Sequence, residues 1–244
     1  NSDGVLWIAG RFNQQIIIGT YTEDKLEIRY DVSDLLEQEN RIERLLVEET
    51  GRVWFSDNAG NLFVNSGGGF ERVAFSTREW VTRLLKGPDD NVYILKGGRF
   101  IIVEDAQNFV HVTRDNANIP VDFFRNLTVD GSGVAWLHPG ASNPFIIQFF
   151  SDFEVRRLDF RSINLVEVRI NDLDTDPSGN IWAATSNGLR KWDGDSFSRY
   201  CDYNTGLEIL DFSDITIAQN GNIWSIGRDT TNLQRMLLLA QPGG

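Results

Sequence analysis

The chain has 244 residues, enough to bury a sizeable core in a single all-β domain. Its 35 acidic and 23 basic residues leave a net charge of −12, which disfavours non-specific attachment to nucleic acid or to an anionic membrane. Cys201 is the only cysteine, so an internal disulfide and a cysteine-rich metal site are excluded, and no stretch approaches the roughly 18 apolar residues of a membrane-spanning helix.

Six times along the chain a Gly- or Asp-containing turn is followed by an apolar residue and then an aromatic. The aromatics are Trp7, Trp54, Tyr93, Trp136, Trp182 and Trp224, spaced 47, 39, 43, 46 and 42 residues apart. That period is the length of one four-stranded antiparallel sheet with its turns, and it predicts a β-propeller of about six blades filling residues 1–244 as a single domain. A large aromatic at one strand position in each repeat is expected to be buried against the neighbouring blade.

In chain order, the first repeat begins at its second strand, over 6–10, and lacks an innermost strand. Residues 33–44 have room for a turn or two of helix between blades. Strands are then expected at 43–47, 53–56, 62–65 and 72–75, with Gly67-Gly68-Gly69 as a corner. The next sets fall at 83–86, 92–95, 100–104 and 109–113, and at 127–130, 135–138, 145–149 and 154–158. The fifth repeat is the cleanest, with strands at 172–175, 181–185, 189–192 and 197–200. Its corners are Ser186-Asn187-Gly188 and Asp193-Gly194-Asp195-Ser196, residue types that tolerate the positive φ of tight hairpins. The sixth repeat ends after a strand over 234–240, without an outermost strand. The two unbalanced ends, and a start at Asn1 without Met, lead us to expect a piece of a longer polypeptide.

The run Asp176-Pro177-Ser178-Gly179-Asn180-Ile181-Trp182-Ala183-Ala184-Thr185-Ser186-Asn187-Gly188-Leu189, with Trp192-Asp193-Gly194-Asp195-Ser196-Phe197 and Tyr200, resembles the two-component regulator propeller repeat. Repeats two, four and six keep mainly the turn and the Trp. The resemblance implies a periplasmic or extracellular sensing module acting in signal transduction, of the kind placed before a membrane-spanning histidine kinase and detecting glycans. The sequence departs from the family in having no kinase region and about half the length of the usual double propeller.

Strand direction alternates within a blade, so the loops after each second strand share a face with the segments leading into each first strand. Arg11, Lys96, Arg99, His138, Asn143, Asn187 and Arg228 are thereby expected around one rim, joined by Arg44, Arg83, Asn126, Asp172 and Asp214. Arg11 and Arg228 stand four residues past Trp7 and Trp224, which ring closure would make neighbours. Guanidinium groups so gathered would attract a carboxylate or sulfate, with Phe12 and Asn143 supplying stacking and hydrogen bonds.

Catalytic chemistry is harder to find. Asp89-Asp90, Asp172-Leu173-Asp174 and Asp193-Gly194-Asp195 lack the full oxygen pattern of a calcium loop and read as turns. Asn126-Leu127-Thr128 is formally a glycosylation sequon, at the start of an expected inner strand. His111 belongs to an outermost strand, leaving His138 as the one histidine near the channel, and no Ser-His-Asp arrangement or phosphate-cradling loop can be read. The expected role is therefore non-catalytic recognition of a small molecule, glycan or protein, without cofactor or metal and without membrane insertion. A metal-dependent lyase or hydrolase is the alternative. A protein scaffold is a further one, and it would show Trp80, Phe123 or Phe124 on an apolar rim.

Overall fold

The computed structural model describes residues 5–37, 39–65, 68–75, 78–140, 143–200, 210–218, 220–229 and 235–240. The chain divides into two compact units, 1–86 with 90–111 and 87–89 with 112–244. The expected features at Asp3-Gly4, Gly67, Cys201 and Gln234 lie outside the described residues.

The first unit holds three antiparallel sheets. One has three strands in the order β1 (Leu6–Phe12), β2 (Gln15–Thr22), β3 (Lys25–Asp31). The second runs β4 (Ile42–Val47), β5 (Val53–Asp57), β6 (Leu62–Asn65), β7 (Phe70–Arg72), and the third β8 (Val81–Lys86), β9 (Val92–Lys96), β10 (Arg99–Val103), β11 (Phe109–His111). In the second unit the sheets are β12 (Asn126–Val129), β13 (Ala135–His138), β14 (Phe145–Phe149), β15 (Val155–Asp159), then β16 (Ile170–Thr175), β17 (Ile181–Thr185), β18 (Gly188–Trp192), β19 (Phe197–Tyr200), and finally β20 (Leu210–Ile217), β21 (Ile223–Asp229), β22 (Arg235–Ala240). Every sheet pairs its strands in sequence order, each antiparallel to the next. The first and last sheets have three described strands, at the positions expected.

Some boundaries differ from the sequence reading. The fourth strand of the second sheet is Phe70–Arg72 rather than 72–75, and it leaves Val73 buried beneath the sheet. The segment 33–44 forms only a 3-10 turn, Ser33–Leu35, before the chain extends into β4. A short helix, α1 (Arg114–Ala117), was not expected. Thr113 starts it through a capping box with Asn116, and Asn118 ends it in the left-handed region at φ 50°.

Packing within each unit follows the repeated aromatic. Trp54 packs with Leu62 and Val64 of its own sheet and with Val81, Leu84, Val92 and Ile94 of the next. Trp136 packs with Leu173, Ile181 and Ala183, and Trp182 with Phe212, Ile215 and Ile223. These three rings and Tyr93 are buried. Trp7 is half-buried and Trp224 is 37% exposed, so the expectation of six buried anchors is corrected at both ends.

Where an acidic side chain stands six residues before the Trp, it ties the turn to the ring. Asp176 Oδ1 accepts the backbone N–H of Ser178 and Asn180 (3.0 and 2.9 Å), while Oδ2 accepts the Trp182 indole N–H at 2.9 Å. Asp130 does the same for Ser132, Val134 and Trp136, and Glu48 accepts the Trp54 indole at 2.5 Å. The acidic turns are thus structural hydrogen-bond acceptors.

Candidate functional site: an arginine-lined cleft in the second unit

In a hairpin, the start of the first strand lies beside the end of the second, as Asn126 pairs with His138 and Asp211 with Arg228. These ends line a cleft of about 780 Å³ in the second unit, bounded by Arg125, Asn126, Gly140, Arg169, Asn171, Asp211, Ser213, Asp214, Arg228 and Arg235, among others. Four guanidinium groups face two carboxylates there.

The floor is a polar lattice between inner strands. Asn126 Nδ2 donates to Asn171 O (3.0 Å) and to Asp172 Oδ1 (3.1 Å), and its Oδ1 lies 3.3 Å from His138 Nδ1. Asn171 Nδ2 donates to Asp211 Oδ1 at 2.9 Å, and Arg169 donates from Nε to Asn171 Oδ1 (2.8 Å) and from Nη2 to Asp211 Oδ2 (2.9 Å). Register shifts between Ile170 and Asp172 and between Phe212 and Asp214 set the geometry of these strand starts. Arg169 is thereby fixed, and the Asp211 carboxylate is already engaged on both oxygens.

Arg228 and Arg235 stand differently. They are direct cross-strand partners on β21 and β22, both exposed and both lining the cleft. Like charges placed opposite one another destabilise a sheet by a few tenths to about 1 kcal/mol. An anion bound between them removes that penalty and takes up hydrogen bonds from planar donors suited to oxyanions. Arg125 adds a third exposed guanidinium across the mouth, its stem lying where a side chain at Gly140 would sit.

Of the seven residues expected on one rim, three belong to the first unit and four to the second. Arg228 lines the cleft together with Asn126 and Asp214, two of the residues expected to lead into first strands. Asn143 and Asn187 are half-buried turn residues, whose N–H groups bond Gly140 O (2.9 Å) and Thr185 Oγ1 (3.1 Å). His138 is a correction: its ring is buried, lies stacked against Phe160, and sits under the cleft. Burial lowers its pKa to about 4, so it is neutral at pH 7. In the first unit Arg11 is exposed on β1, and Arg99 is exposed with Nε 3.8 Å from Glu79 Oε2. Lys96 is the second correction. It is fully buried, donates to the carbonyls of Gly60 and Glu79, and lies 5.3 Å from the Phe75 ring. Desolvation lowers its pKa to about 8.

Arg125, Arg169, Asp211 and Arg235 were missed. Arg125 and Arg169 immediately precede the two inner strands β12 and β16, so a shared offset before each strand was the available signal. Among the described residues, no group of three or more His, Cys, Asp or Glu could hold a metal ion. No described helix is long and apolar enough to cross a membrane.

No protein-family profile and no curated protein matches the chain. Among solved structures, it is similar to the extracellular domain of a hybrid two-component system from B. thetaiotaomicron, at 19% identity and a TM-score of 0.63, over 97% of this chain and 33% of that one. It is also similar to YCF48 bound to D1 peptide, at 13% identity and 0.62, over 98% of this chain and 75% of that one. A third is a gluconolactonase from Xanthomonas campestris, at 12% and 0.55, over 96% of this chain and 82% of that one. The chain thus spans about a third of the first structure's length. The likeness shows the fold: the protein is a β-propeller, as the sequence repeat predicts.

Proposed function

We propose that residues 1–244 act as a non-catalytic recognition module outside the cytoplasm, and that the arginine-lined cleft of the second unit binds the anionic group of a ligand. One observation carries the reading: Arg228 and Arg235 are opposed like charges over a cleft in which Asp211 is already bonded to Arg169 and Asn171. Asp211 stands opposite Arg228 on β20, but its two carboxylate oxygens are engaged by Arg169 and Asn171. The extracellular character of the two-component neighbour supports the location and a sensing role. Catalysis finds less support, because His138 is buried against Phe160 and Asp211 and Asp214 lie among guanidinium groups.

Isothermal titration with sulfate, inorganic phosphate, glucuronate and neutral glucose tests the reading. An anion of the panel is expected to bind where glucose does not, and Arg228→Ala or Arg235→Ala should each weaken it roughly tenfold or more, the worth of a charge-assisted hydrogen bond. Equal binding by wild type and both variants would place the ligand elsewhere.

A further inference from the structure

Trp80 has the largest fractional exposure of any large apolar side chain described, 69%, yet its backbone is tied to the neighbouring strand ends. Its carbonyl accepts the Gly97 N–H at 2.9 Å. The preceding carbonyl, Glu79 O, accepts the buried Lys96 ammonium, which also bridges to Gly60 O. Gly60 and Gly97 both have positive φ, and a Cβ on either would collide with Glu79: its carbonyl oxygen at Gly60, its carboxylate at Gly97. Two glycine corners and a buried lysine therefore clamp residues 79–80 against the ends of β5 and β9. The clamp holds up an indole that buries little of its own surface.

Arginines outnumber carboxylates around that residue in a protein of net charge −12, the neighbouring carboxylate of Glu79 being paired with Arg99. Arg78 precedes it and is exposed, Arg99 lies across Glu79 from it, and Arg44 reaches the Thr82 carbonyl at 3.3 Å. Tryptophan and arginine are the residue types that dominate binding energy at protein interfaces, and an anchor whose backbone is already held in the free protein lowers the entropic cost of ordering it on binding.

We propose that Trp80, with Arg44, Arg78 and Arg99, is a docking surface for an acidic peptide segment of a partner protein, whose apolar side chain packs on the indole while its carboxylates meet the guanidinium groups. The surface is independent of the second-unit cleft. Charge complementarity selects this occupant over a basic or neutral one, and a single exposed Trp selects a linear segment over a broad apolar partner.

The test is selection of a random peptide library displayed on phage against the whole protein, with counter-selection on Trp80→Ala. Trp80 contributes little buried area, so this variant should fold. Enriched peptides are expected to combine Asp or Glu with Leu, Phe or Trp. As synthetic peptides, they should lose roughly tenfold or more in affinity to Trp80→Ala and also to Arg99→Glu. Recovery of no Trp80-dependent peptide, or of basic or uncharged ones, would overturn the proposal. So would quenching of the intrinsic fluorescence by a neutral saccharide that is seen in the wild type and lost in Trp80→Ala, which would assign the indole to a sugar.

Discussion

The imidazole of His138 is an uncharged polar group held between Asn126 and Phe160, and its burial has a pH signature. Its folded pKa is lowered to about 4 from 6.5, chiefly by desolvation, with a smaller raising effect from the Asn143 backbone. The unfolded chain therefore takes up a proton that the folded one refuses. Stability from this group is complete above the unfolded value and is lost as pH falls from 6.5 toward about 4. Full loss is worth ~3 kcal/mol, and about 2 kcal/mol of it should fall between pH 7 and pH 5. Urea unfolding of wild type and His138→Gln at those two pH values checks this: the difference between them should shrink in acid, and parallel curves would assign the acid limb to other groups. Strand parity could have exposed the earlier misplacement of His138. It stands two residues past Trp136 and so shares the buried face of that ring. Lys96 lies on β9, which is buried on both faces, and no alternation in the sequence marks that condition.

At the scale of elements, the repeated aromatic is a contact between consecutive sheets, and this was legible because turn chemistry and period 2 are local. Asp176, Gly179 and Trp182 lie within one hairpin, and so do Asp130, Gly133 and Trp136. What was not legible depends on pairs distant in sequence. Asn126 meets Asp172 across 46 residues, and the bulges at Ile170 and Phe212 that let the inner strands interlock have no signature of their own. The helix at 114–117 escaped notice because one turn offers no period to read. The sheet-on-sheet rule makes a quantitative contrast. Trp182 is enclosed by Phe212, Ile215 and Ile223, so Trp182→Ala should cost roughly 3–5 kcal/mol. Trp224 is 37% exposed, pairs across the strand with the exposed Leu239, and should cost well under half as much. Denaturant melts of the two variants decide it, and equal losses would mean that Trp224 is enclosed as tightly as Trp182.

For the whole molecule, the charge of −12 and the four cleft arginines act on an anionic ligand with opposite signs and over different ranges. At about 0.01 M salt the Debye length is about 30 Å, comparable to a small domain, so an approaching anion feels the net negative field before it feels the cleft. At about 0.15 M the length falls to about 8 Å, and only charges near the mouth count. There Arg125, Arg228 and Arg235 outnumber the carboxylate of Asp214, which accepts the Ile215 N–H, since Asp211 is bonded to Arg169. Association of an anion should therefore speed up as salt rises over this interval. Dissociation should speed up as well, because the guanidinium contacts in the bound state weaken. Stopped-flow measurement with a fluorescent sulfate or carboxylate probe separates the two constants. Arg228→Ala should raise the off-rate at every salt concentration and leave the sign of the on-rate response unchanged. An on-rate that falls steadily with salt would mean that attraction by the local arginines outweighs the net charge even at long range.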